Sequence, residues 1–225
     1  MNGTFPAIAI DVGCAASRIA REIKMLVSGI KSKPVYRGLA PCLAGQRHLL
    51  IAQGQGGEAI ARLAEAFGTG AAGIEVYYSA ESALGADQSQ RVQALSTMRT
   101  RCYAYSQQLE SDLDSIFSSA RMGVRLYIAG TERFIWDITR LANAVGIGNA
   151  DIQQEHADSH ARQVVCVHCN ALTYPVTTNI VACSGCGRHL LVRDHFSRRL
   201  NAYMGLQIDA EVPAELPPVT EVFFP

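Results

Sequence analysis

Apolar and polar positions along this chain fall into blocks that switch period. HLLIAQ (48–53) is an unbroken apolar run of strand length, GQGG follows as a glycine turn, and EAIARLAEAFG repeats apolar positions at helical spacing until Gly68. IEVYYSA (74–80) predicts a second strand and SQRVQALSTMR (89–99) a second helix. RCYAYSQ (101–107) predicts a third strand and LESDLDSIFSSA (109–120) a third helix, with Ser106 or Gln107 capping its start. VRLYIAG (124–130), TERFIWDITRLANAVG (131–146) and ADIQQEH (150–156) continue the alternation, and the helix among them carries Phe134, Ile138, Leu141 and Val145 on one face. Four strand–helix units in succession predict an α/β fold, a parallel doubly wound sheet covered on both faces, with any ligand at the carboxyl ends of the strands.

The flanks read differently. AIAIDV (7–12) predicts a strand, and Ile19, Ile23, Leu26 and Ile30 recur at helical spacing. KSKPVYRGLAPCLAGQ (31–46) has no period and predicts an extended connection over a neighbouring surface. Arg193 to Met204 predicts an amphipathic helix or turn with Phe196, Leu200 and Tyr203 sharing a face and Arg193, Arg198 and Arg199 exposed. The proline-interrupted end, with Val222, Phe223 and Phe224, predicts either a disordered tail or, the preferred reading, an extended arm on another subunit. The expected division is 1–46 as an N-terminal strand, helix and linker, 47–160 as the α/β domain, 161–193 as a small ribbon, and 194–225 as a C-terminal helix and arm.

The ribbon carries the sharpest chemistry. Cys166, Cys169, Cys183 and Cys186 form two Cys-x-x-Cys pairs separated by thirteen residues, with a short hairpin expected between them. Each such turn lets two thiolates converge on one ion, and four of them complete a tetrahedron. His168 and His189 lie beside the turns and are expected outside the ligand set, while Asn170 and Gly187 suit the left-handed residue that each turn needs. Tetrahedral thiolate sites suit both metals under consideration: Zn2+ as a structural ion, or iron in a rubredoxin-like one-electron centre.

Composition narrows the partners. Of 225 residues, 20 are Lys or Arg and 20 are Asp or Glu, so no net field draws the chain to nucleic acid or an anionic membrane. The N-terminal MNGTFPAIAIDVGC lacks the basic start and sustained apolar core of a secretory signal, and no apolar run is long enough to span a bilayer. A soluble, cytoplasmic protein is expected, and the single Cys14, Cys42 and Cys102 are expected as small buried apolar residues.

LLIAQGQGG, IEVYYSAES, RLYIAGTERF and DIQQEH, in that order, make residues 48–157 resemble the pyridine-nucleotide half of the ferredoxin-reductase family, its phthalate-dioxygenase-reductase-like members in particular. The family reads GGxGxTP, hYxaRs, YvCGP and a terminal E-x-F at those places. Here Gly54, Gly56 and Gly57 keep a turn, but Gln53 replaces the leading glycine and Glu58 and Ala59 replace Thr-Pro. Glu81 stands where the family has a phosphate-contacting arginine, and Ala129 and Thr131 replace the cysteine and proline of CGP. A carboxylate on the first helical turn repels a cofactor phosphate, so the resemblance implies the fold of a reductase domain without its chemistry.

CSGCGRHLLVRDHFSRRLNAYMG (183–205) and KSKPVYRGLAP (31–41) resemble the small subunit family of bacterial dimethylamine monooxygenase. That resemblance implies a subunit of a haem-dependent, NADPH-driven N-demethylating complex whose other chains carry haem, flavin and an iron–sulfur cluster. The resulting expectation is an accessory chain, not catalytic alone, that holds reductase and haem oxygenase subunits in register through its metal ribbon. Two alternatives stand beside it: an iron electron relay in the same complex, and a nucleotide-sensing regulator.

Overall fold

A computed structural model describes residues 32–68, 73–95, 99–211 and 216–222. The strand and helix expected between residues 7 and 30, Cys14, and Phe223 and Phe224 lie outside the described residues. The first sheet is built from β1 (Arg47–Gln53), β2 (Ile74–Ser79), β3 (Arg99–Tyr103), β4 (Val124–Gly130) and β5 (Ile152–His156) in the order β3-β2-β1-β4-β5, every pairing parallel. The crossovers are α1 (Gly56–Phe67), α2 (Ser89–Gln93), α3 (Ser106–Ser118) and α4 (Glu132–Ala144).

Side chains of a strand point alternately to its two faces, so an all-apolar strand can pack against helices on both. Leu49 and Ile51 of β1 join Leu109, Leu113, Phe117, Ile135 and Ile138 from α3 and α4. Leu50 and Ala52 join Ile60 and Leu63 of α1 and Val92 of α2 on the opposite face. Leu50 and Ile51 are fully buried, and each such side chain stabilises the sheet by about 1.5–3 kcal/mol.

Local departures have local causes. Helix α2 spans five residues, ends earlier than expected, and buries Val92 alone among its own residues, with Leu95 just beyond its end packed on the same core. Helix α3 starts at Ser106, earlier than expected, and neither Ser106 nor Gln107 caps it; the Glu81 carboxylate beyond β2 accepts the Ser106 amide at 2.8 Å. In α4, Phe134 and Ile138 are buried, but Val145 follows the helix end and is 40% exposed.

The second sheet comprises β6 (Arg162–Cys166), β7 (Leu172–Val176), β8 (Ile180–Ala182), β9 (His189–Ser197) and β10 (Ala202–Gln207) in the order β7-β6-β10-β9-β8. The helix expected over 193–204 is therefore corrected to two antiparallel strands and their turn. Phe196 and Tyr203 do meet, as cross-strand partners seven residues apart in sequence, while Leu200 sits in the turn, 36% exposed. The hairpin expected between the cysteine pairs is also corrected: β7 pairs with β6 and β8 with β9, at opposite edges of the sheet. Residues 216–222 run beside the segment before β8, with Asn179 N donating to Thr220 O (3.0 Å) and Val222 N to Thr177 O (2.9 Å).

Helix α4 fastens the two sheets together. Trp136 packs on Phe196 of β9 with ring centroids 5.3 Å apart, and its indole donates to Tyr36 Oη at 2.9 Å. Tyr36 from the linker and Tyr203 from β10 both donate to Oε1 of Glu132, at 2.9 and 3.0 Å. The linker itself crosses β5, where Leu39 N donates to Glu155 and Gln153 exchanges two hydrogen bonds with Ala40. No helix among the described residues is long and apolar enough to cross a membrane.

Candidate metal centre

Strand β6 delivers Cys166 to the start of a tight turn. Asn170 N donates to Cys166 O at 2.9 Å and Cys166 N to Ala171 O at 3.0 Å, with Asn170 in the left-handed region at φ 59°. The same turn recurs before β9: Gly187 N donates to Cys183 O at 3.0 Å, Cys183 N to Arg188 O at 2.9 Å, and Gly187 has φ 71°. Asn and Gly tolerate that conformation, which is why they stand at the two equivalent places. Gly185 is required by proximity instead, since a Cβ there would lie 2.6 Å from Ala171 Cβ in the facing turn.

The two turns bring all four cysteine Sγ atoms within 4.8 Å of one another, with Cys166 and Cys186 3.9 Å apart and Cys169 and Cys183 3.6 Å apart. A tetrahedral ion with metal–sulfur bonds of about 2.3 Å requires sulfur separations of about 3.8 Å, so the donor set fits. The set could hold a metal, and the ion would supply the cross-link between β6 and β9 that a ribbon of this size needs. Cys166 and Cys183 are buried, Cys169 is exposed and Cys186 half-buried.

The turns also prepare the sulfurs for a cation. The backbone amide and guanidinium of Arg188 bring the Cys186 thiol down to about 6. Burial resists ionisation of Cys183, but the amides of Cys186 and Gly185 hold it below the ordinary thiol value. For Cys169 the Ala171 amide favours the thiolate, yet desolvation and three neighbouring sulfurs push it up to about 11. Sulfurs this close share charge poorly, and a bound cation is what allows all four to be thiolates. His168 Nδ1 sits 3.0 Å from Arg188 Nη1 and His189 Nδ1 3.8 Å from Asp209, so both imidazoles lie outside the sulfur cluster.

The glycine loop is closed by the protein's own groups. Gly54 turns at φ 51°, and a Cβ on Gly56 would collide with the Ala129 carbonyl, which explains both glycines. Gln53 bridges the loop: its amide nitrogen donates to Ser106 Oγ (2.9 Å) and its oxygen accepts from Thr131 Oγ1 (2.9 Å). Two departures from the reductase pattern, Gln53 and Thr131, therefore satisfy each other. Glu81 takes the α3 amide, Asp158 meets Ser82 over Gly54, and Glu58 pairs with Arg91 at 3.5 Å.

Sequence reasoning missed Asp158, the Gln53–Ser106–Thr131 chain and the Tyr36–Glu132–Tyr203 junction. Glu132 directly after Thr131 reads as an ordinary acidic residue on a first helical turn. Its partners lie 96 and 71 residues away, beyond any local signal.

Family models match the two parts of the chain in turn. The dimethylamine monooxygenase subunit DmmA-like N-terminal domain covers residues 28–152 and its C-terminal domain residues 163–206. The chain belongs to this family. A relative from Ectopseudomonas mendocina (strain ymp), named the delta subunit of heme-dependent oxidative N-demethylase, is 31% identical over 182 residues, covering 81% of this chain and 91% of the relative. Among solved structures, phthalate dioxygenase reductase is 12% identical, with 63% of this chain and 45% of that one covered at a TM-score of 0.40. An Amycolatopsis cytochrome P450 reductase is 15% identical, with 56% and 43% covered at 0.41. The chain thus spans less than half the length of these reductases. The strand order and parallel pairings define the fold of the DmmA-like chain without them.

Proposed function

We propose that this DmmA-like chain is a non-catalytic accessory subunit of a haem-dependent, NADPH-driven dimethylamine monooxygenase complex, binding its reductase and haem oxygenase subunits. Cys166, Cys169, Cys183 and Cys186 hold a structural Zn2+ that keeps the second sheet folded on α4. The observation that carries this reading is the self-closed glycine loop: Gln53, Glu81 and Asp158 occupy the carboxyl end of the parallel sheet where a cofactor phosphate would lie. Family membership and the relative named as a demethylase subunit support the complex. The same carboxylates speak against a nucleotide-sensing regulator.

A second reading has one observation in its favour. Cys169 is exposed and Cys186 half-buried, so an iron ion held there would lie close to solvent, as a one-electron relay between proteins requires.

Reconstitution tests the proposal. The chain is purified alone and mixed with the reductase and haem subunits. It is expected to bind both subunits and to contain no flavin. Oxidation of NADPH by the isolated chain with a bound flavin would contradict the reading.

A further inference from the structure

The second sheet has two faces, and α4 packs on one of them. Val164, Phe196 and Tyr203 point to that side, where Trp136 meets them, so the alternation of a strand turns Val165, His195 and Met204 to the other. There a groove of about 410 Å³ crosses β6, β10 and β9, and among the described residues it is lined only by these strands and their turns. Its floor is an apolar row in register: Leu172 of β7 stands opposite Val165 of β6, and Val165 beside Met204 of β10. Leu172 is 48% exposed and Val167, at the first cysteine turn, 47%. No Lys, Arg, Asp or Glu lines the groove.

The chain enters the described structure at the rim of this groove. Ser32 Oγ accepts from Phe196 N at 3.0 Å and donates to Asp194 O at 3.4 Å. Those two residues bracket His195, which lines the groove. The contact lies on the edge of β9 just past β8, which pairs only with residues 189–191 before Val192 N turns to Asn179 O on the same side. From Lys33 onward the linker follows the opposite face, beside Glu132 and Tyr203. Ser32 therefore stands at the strand edge between the two faces, with residues 1–31 attached there.

We propose that residues 19–30 of this same chain dock in the groove as an amphipathic helix laid across the strands, with Ile30 over β9 beside the Ser32 anchor and Ile19 toward Leu172 of β7. Ile19, Ile23, Leu26 and Ile30 recur on one helical face, and Arg21 and Lys24 fall on the other. A helical rise of about 1.5 Å per residue makes that stripe roughly 16 Å long. Three strand spacings of about 4.8 Å, from β7 to β9, make the apolar row roughly 14 Å long. The lengths match, an uncharged groove meets an uncharged stripe, and the anchor at Ser32 sets which end lies over β9. So placed, the segment covers the sheet face next to the first cysteine turn, whose Val167 and Asn170 line the groove.

Photo-cross-linking and amide hydrogen exchange of the full chain test this. A benzophenone amino acid in place of Ile23 is expected to cross-link within one chain to Val165, Val167 or Met204, mapped by mass spectrometry, and one in place of Lys24 is expected to miss the groove. Amides of residues 19–30 are expected to exchange about tenfold or more slowly in the parent than in Ile23→Asp, Leu172→Asp or Val167→Asp. Leu172 and Val167 are exposed, so exchange across residues 189–207 is expected to stay unchanged in both groove variants, and either one that meets this control decides the comparison. The proposal is overturned if residues 19–30 exchange as fast in the parent as in the variants, or keep their protection in the groove variants. Cross-links from position 23 to another region overturn it, as do cross-links between two chains, which would seat a second copy in the groove.

Discussion

The carboxyl end of the parallel sheet and the cysteine cluster meet the same physical demand in opposite ways. At the sheet end, exposed helix amides and a glycine turn would favour an anion, and the chain supplies its own: Glu81 on the α3 amide and Asp158 above Gly54. Side chain satisfies backbone, and the region is complete without a ligand. At the cluster, four sulfurs from two turns face one another within 4.8 Å, and like groups at that distance ionise together when a cation joins them. The lesson is that one half of this chain meets its exposed backbone groups with its own side chains, while the other half gathers four sulfurs that could hold a metal.

The strongest way to break that contrast is Cys183→Ser. Four-thiolate zinc contributes apparent binding energies of about 10–16 kcal/mol to small ribbons, so the loss is expected to unfold the second sheet. Amide hydrogen exchange is expected to show residues 162–207 exposed while 47–156 stay protected. Equal protection of both regions would mean that the cluster is not what holds its sheet.

Next in size is Trp136→Ala, which removes the Phe196 contact and the bond to Tyr36. Because Trp136 is half-buried, a loss of about 2–3 kcal/mol is expected in denaturant unfolding, below the ~3–5 kcal/mol of a fully buried tryptophan. An undiminished midpoint would show that the sheets are joined elsewhere.

Glu132 gives a smaller, pH-dependent effect. Burial is the leading cause of its raised pKa, ahead of the tyrosine hydroxyls that favour the carboxylate. The native state therefore keeps this proton to higher pH than the unfolded chain. Its contribution to stability is fully present below the unfolded value of about 4.3 and is lost as pH rises through the folded value. Glu132→Gln, which retains an acceptor for the tyrosines, is expected to gain in melting temperature over the parent as pH rises from about 4 to about 8. A pH-independent difference would remove Glu132 from the account.

The smallest expected effect concerns the closed loop. Addition of about 1 mM NADPH is expected to leave the melting temperature within about 1 °C, since a ligand stabilises only in proportion to its occupancy. A shift of several degrees would mean that the self-closed end still opens to nucleotide.

The parts of this architecture that were legible in the sequence are those set by local period. Strands β1, β2 and β4 are predominantly apolar runs, and the spacing of Cys166, Cys169, Cys183 and Cys186 places its turns without tertiary information. The stretch from Arg193 to Met204 was misleading because Phe196, Leu200 and Tyr203 fit a helical stripe as well as two strands. Their burial depends on Trp136 and on the cross-strand pairing of Phe196 with Tyr203, which no window of a dozen residues contains. Likewise Gln53 looked like damage to a glycine motif, and it became intelligible through Thr131, 78 residues away.

Elemental analysis of the purified chain, together with its visible spectrum after production with both zinc and iron available, tests the central claim most directly. The account predicts a colourless protein with one zinc per chain, lost together with the fold of residues 162–207 on chelation. Stoichiometric iron with thiolate-to-metal absorption, or a metal-free chain whose second sheet remains folded, would contradict it.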